Sequence, residues 1–309
     1  MMRRQRGATL AELMVAAAVG MLAMLFAGGL LVSANAAYLA QVDAAALDDN
    51  GRYALEIITR ATRQAAFVNW ERDQAGVDDG TAPARVRGID ARTLSRTTEG
   101  IDSPLAGAVN GSDVLAVRFS GAADGSVINC AGFDVGEGDD GWSIFYVGRS
   151  AGGQAELRCK YRGRTSWGAD AVIGGVDTFQ VLYGIDTDTP GDGLPNEYAS
   201  ATELAERDAA LLLAGTAPEA RERELRRRTH WKRVTGVRVA LVLHGARSRS
   251  GDPPRVFDLF GPAYSGAFGG ADLGVHLAED TLPDEMRGRE RRMFAATVML
   301  RNAAAEVVR

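Results

Sequence analysis

The chain has 309 residues, 46% of them hydrophobic and 24% charged, which is enough apolar content for a buried core and excludes a disordered chain. Thirty-seven glycines against 7% aromatics point to a loop-rich, strand-rich body. The net charge of −5 becomes more acidic still with Arg3, Arg4 and Arg6 set aside, which excludes a nucleic-acid binder relying on global electrostatics and makes proteins the expected partners.

The first element in chain order is an apolar helix. No charged residue stands between Glu12 and Asp43, and Leu13 to Val32 is apolar or glycine throughout, the roughly 20 residues that a hydrocarbon core requires. The membrane-spanning half is placed at about 13–35. Arg3, Arg4 and Arg6 precede it, so the positive-inside rule keeps the N-terminus cytoplasmic and exports the chain beyond the span. Glu12 is the anomaly, a carboxylate one turn into a segment built for lipid. A cleaved signal peptide ending at Ala34-Asn35-Ala36 and a plain anchor with a snorkelling glutamate are two ordinary readings, but neither gives Glu12 a purpose.

Gly7-Ala8-Thr9-Leu10-Ala11-Glu12 resembles the class III leader of type IV pilins and pseudopilins, in which glycine precedes the scissile bond and glutamate is the fifth mature residue. Ala8 stands where most members have phenylalanine. The resemblance implies cleavage between Gly7 and Ala8 by prepilin peptidase, N-methylation of Ala8, and an assembly role for Glu12. The cut would create an α-amine at Ala8, protonated near neutral pH, as partner for the Glu12 carboxylate of an adjacent subunit.

Beyond the span, Leu47, Gly51, Ala54, Ile58, Ala61, Ala65 and Val68 form one helical stripe, which predicts a helix from Ala8 to about Val68, roughly 90 Å at about 1.5 Å per residue. Asn50-Gly51 is a candidate bend. Past Trp70, short apolar runs predict strands at Val114–Phe119, Trp142–Val147, Glu156–Tyr161, Val176–Ile185, Val234–His244, Val256–Phe260 and Met293–Arg301. The expected fold is α+β, a long N-terminal helix packed on an antiparallel sheet, with residues 1–7 as leader, 8–68 as stalk and 69–309 as an extracytoplasmic body. Ser200-Ala-Thr-Glu203 and Thr216-Ala-Pro-Glu219 both match the capping box and predict a helical insert at about 200–229.

"DDNGRYALEIITRATRQAAF", "HWKRVTGVRVALVLHG" and "RRMFAATVMLRN" resemble PilW-like minor pilins. That resemblance implies a subunit that primes or caps a type IV pilus within an inner-membrane minor-pilin complex. Its implied partners are other minor pilins, the major pilin, prepilin peptidase, the inner-membrane assembly machinery and a tip adhesin. A type II secretion pseudopilin and a membrane-anchored binding protein or adhesin are the rival readings.

Cys130 and Cys159 are the only cysteines, and an exported location makes a disulfide the expectation. "DTDTPGDGLPNEY" sets Asp186 and Asp188 at the alternate spacing of a calcium loop, with Asp192 and Glu197 as further candidate ligands; two extra residues displace Asp192-Gly193 from the standard register. An acidic turn between strands is the alternative. His230, His244 and His276 lack ligand spacing and read as surface or interface residues, and no arrangement for catalysis or for a resident cofactor emerges. The sequence thus reads as an assembly protein and not an enzyme.

Overall fold

A computed structural model of the chain describes residues 9–65, 82–248 and 253–301. Gly7, Ala8 and Val68 lie outside the described residues. By compactness the chain forms two units, Met1–Ala46 and Leu47–Arg309.

Helix α1 (Leu10–Gln64) is continuous. Asn50 and Gly51 lie within it without a break. Gly51 instead receives the ring of Phe294, whose carbons would lie 2.4 Å from any Cβ placed there. The glycine thus serves a close approach of side chain to helix backbone rather than flexibility. The helix is long and apolar enough to cross a membrane, and in the first unit its large apolar side chains, Leu13, Leu22, Phe26 and Leu30 among them, are exposed. From Leu47 onward the stripe read from the sequence is buried, with Ala54 and Ile58 fully enclosed.

The body carries strands β1 (Val86–Ile89), β2 (Val114–Ser120), β3 (Asp140–Arg149), β4 (Ala155–Arg162), β5 (Trp167–Gly174), β6 (Val176–Ile185), β7 (Glu197–Ala199), β8 (Val234–Ser248), β9 (Val256–Asp258), β10 (His276–Ala278) and β11 (Arg289–Met299). The α+β layout of a long helix with antiparallel strands is as expected, but among the described residues the strands form two principal sheets and not one, ordered β1-β2-β3-β4-β5 and β11-β8-β6-β7, with a short ribbon of β9 and β10. The break falls at Gly175, the only residue between β5 and β6. Its φ of +73° turns the chain from one sheet to the other, and a Cβ there would meet the His244 carbonyl oxygen at 2.8 Å. Both sheets contribute to one core. Leu115, Val117, Phe145 and Leu157 of the first and Val181, Val237, Val239 and Leu241 of the second are buried together with Leu47, Ala54, Ile58 and Ala61 of α1.

The insert forms α2 (Ala201–Ala209) and α3 (Pro218–Arg228). The first capping box is present, with Ser200 Oγ accepting from Glu203 N and Glu203 Oε2 accepting from Ser200 N. The second is not: α3 starts with Pro218 after Ala217, and no side chain caps it. Proline sets the helical φ by itself and lacks one of the N–H groups a cap would satisfy. A further helix, α4 (Pro262–Phe268), precedes β10.

Candidate functional site

Glu12 sits in the first turn of α1 and is held by Thr9. Thr9 N donates to Glu12 Oε2 at 2.8 Å, Thr9 Oγ1 donates to the same oxygen at 3.1 Å, and Glu12 N donates back to Thr9 Oγ1 at 3.3 Å. This is a capping box, and the sequence carried its signature in Thr9-Leu-Ala-Glu12, a signal eclipsed by the leader motif. A carboxylate here also faces the positive end of the helix macrodipole. Glu12 Oε1 accepts no hydrogen bond among the described residues, so one oxygen caps the helix while the other stays available.

Cys130 and Cys159 are joined in a disulfide with their Cα atoms 5.9 Å apart. Cys159 lies in mid-β4, opposite Phe145 on one side and Asp170 on the other. Cys130 belongs to the long β2–β3 connection, where its N–H donates to Ser143 Oγ at 3.0 Å. The bond therefore fastens that connection to the centre of the five-stranded sheet.

In the acidic loop between β6 and β7, carboxylate oxygens of Asp186, Asp188 and Asp192 lie within 4.8 Å of one another. Each is already used to shape the loop. Asp186 accepts from the N–H groups of Asp188 and Gly193, Asp188 Oδ2 from Asn196 Nδ2, and Asp192 Oδ1 from Leu194 N. Glu197 does not join them: it sits on β7 and its carboxylate pairs with Arg207 of α2. Of the histidines expected at the surface, His276 is exposed and His230 part-buried, and only His244 differs. His244 is buried, its Nδ1 3.0 Å from Asp177 Oδ1, while His230 and His276 pair with Asp208 and Asp258, each at 2.8 Å.

Two groupings escaped the sequence because their members are far apart along it. Arg291 of β11 is fully buried, donating to Asp177 Oδ2 at 2.7 Å, to Glu279 Oε1 at 3.3 Å and to the Met286 carbonyl. Carboxylate oxygens of Asp90, Asp113 and Asp272 come within 4.8 Å of one another.

The exposed apolar helix, the carboxylate in its first turn and the two-sheet body fit comparison with known proteins. Residues 144–302, from within β3 through β11 and just over half the chain, match the family model described as Type IV Pilus-assembly protein W. The chain belongs to this family. Residues 2–28 match the prokaryotic N-terminal methylation motif, which places Gly7, Ala8 and Glu12 inside a recognised leader-and-helix pattern. No curated protein and no solved structure matches the chain. A PilW-family chain with this leader is a type IV pilin serving pilus assembly, and its family implies contact with other pilins and with the assembly machinery.

Proposed function

We propose that this PilW-family chain is a minor pilin that primes or caps a type IV pilus as part of an inner-membrane minor-pilin complex. The observation that carries the reading is the first turn of α1, where Glu12 heads an exposed apolar helix and keeps one carboxylate oxygen free of hydrogen bonds among the described residues. In lipid an ionised carboxylate is costly without a partner. Cleavage between Gly7 and Ala8 by prepilin peptidase supplies one, an α-amine whose reference pKa of about 7.7–8.0 leaves it protonated near neutral pH.

Assembly then results from repetition. Side-by-side helices, each offering an amine at one end and a carboxylate one turn on, make a heterologous contact that does not close and so grows as a filament. A minor subunit starts or ends that series. The body stays on the periplasmic side, and the role is structural, with no reaction assigned to the chain.

The test is Glu12→Val in the native background, reading leader processing and surface pili together. Normal processing with loss of pili supports the proposal; normal piliation overturns it.

A further inference from the structure

Asp90 comes just after β1, Asp113 precedes β2, and Asp272 lies between α4 and β10. Asp113 and Asp272 are buried, 2% and 4% exposed, and Asp90 is half-buried. The backbone orients two of them. Asp90 accepts from Ala201 N and Thr202 N at the start of α2, and Asp113 accepts from Ala91 N and, across to the second sheet, from Val181 N. Asp272 Oδ2 accepts from Tyr264 Oη at 2.9 Å.

The second observation is Asp272 Oδ1. It is a fully enclosed carboxylate oxygen with no hydrogen-bond partner, in a side chain turned onto two other carboxylates. Leaving such an oxygen unsatisfied is costly, and a buried polar atom without a donor calls for a missing one. No arginine or lysine pairs with any of the three aspartates among the described residues. Burial and mutual repulsion accordingly push the Asp113 carboxyl well above the usual range and Asp272 up to about 6.

We propose that Asp90, Asp113 and Asp272 form a calcium site. All the donors are hard oxygens, with no histidine or cysteine to favour zinc or copper. Calcium binds oxygen at about 2.3–2.6 Å, so ligands on opposite sides of the ion stand about 4.6–5.2 Å apart, in keeping with three oxygens gathered within 4.8 Å. The three aspartates come from three separate segments. The ion would therefore tie the five-stranded sheet, the start of α2 and the α4–β10 connection together, and would supply the positive charge these groups lack.

This site differs from the Asp186 loop in burial: Asp188 and Asp192 of the loop are exposed, whereas Asp113 and Asp272 are buried and Asp272 Oδ1 lacks a donor. The discriminating experiment is calcium chloride titrated into the detergent-solubilised full chain by calorimetry and thermal unfolding, with magnesium chloride as control. We expect one calcium bound, a rise in the unfolding midpoint of about 5–10 °C at saturation, and no comparable shift with magnesium. Asp272→Asn, folded by circular dichroism, loses the shift and weakens binding by about tenfold or more. Asp188→Asn/Asp192→Asn, which alters exposed side chains, keeps both, and tests the site even where Asp272→Asn fails to fold. Absence of calcium binding, equal shifts with both metals, or loss of binding in the loop variant would each overturn the assignment.

Discussion

Thr9 and Glu12 cap each other across the first turn of α1, so the carboxylate proposed to act in assembly also finishes its own helix. The two roles separate chemically. Glutamine can take glutamate's place in a capping box but carries no charge. Glu12→Gln should therefore be processed normally yet enter pili at least about tenfold less than the parent, since the charge pairing with the amine is lost. Thr9→Val weakens the cap and keeps the charge, and should stay within about twofold of the parent. Quantitative immunoblots of sheared pili against whole cells give both numbers, and equal incorporation of Glu12→Gln and wild type would show that capping suffices.

The disulfide yields a prediction about stability. Cys130 and Cys159 are separated by 29 positions, and closing a loop of that length removes chain entropy worth about 3–4 kcal/mol from the unfolded state. Cys130→Ala/Cys159→Ala should lose about that much in urea unfolding. It should also respond no further to a reductant, whereas wild type falls to its level when reduced.

A larger loss is expected at Arg291. Its guanidinium compensates Asp177 and Glu279 inside the body, and Asp177 also holds His244. Arg291→Met keeps much of the side-chain bulk but removes the buried cation that Asp177 and Glu279 share, Glu279 keeping Arg255, a change that costs about 3–5 kcal/mol. Equilibrium denaturation in urea measures it. A loss under about 1 kcal/mol would mean that the acids find other compensation.

Lys160 gives a pH dependence. It is buried in mid-β4, with Nζ donating to the Gly100 carbonyl at 2.8 Å and to Thr98 Oγ1 at 3.3 Å, beside the Trp167 ring. Burial brings its pKa down to about 8, against about 10.4 in an unfolded chain. Below about pH 8 both states are protonated and the folded one bears the full cost of the buried charge. Between about pH 8 and 10.4 the unfolded state binds more protons, so stability rises with pH. The wild-type stability minus that of Lys160→Met should therefore increase between about pH 7 and 9.5. A flat difference across that interval would contradict the shifted pKa.

Much of this fold was legible in the sequence because burial leaves periodic marks. The stripe from Leu47 to Ala65 records one-sided packing, the apolar run Val114–Phe119 marks a strand buried on both faces, and β6 begins and ends where its apolar run does. The missed strands leave weaker marks. β1 is four residues interrupted by Gly88, where a Cβ would meet Tyr183 Oη at 1.7 Å, while β5 contains glycine and aspartate, both uncommon in strands. The division into two sheets turns on Gly175 alone, and one positive φ does not show in a hydrophobic pattern. At the site level, Glu12 and the cysteine pair were readable from local motif and compartment. The union of Asp90 and Asp113 with Asp272 was not, because tertiary contact alone brings them together.

The most direct measurement is the intact mass of the mature protein with sequencing of its N-terminal peptide. Charge pairing at Glu12 requires a chain beginning at Ala8, with its α-amine free or methylated, and that is the expected result. A chain beginning at Ala37, or one retaining Met1, would contradict it, because the amine that partners Glu12 would then never be made.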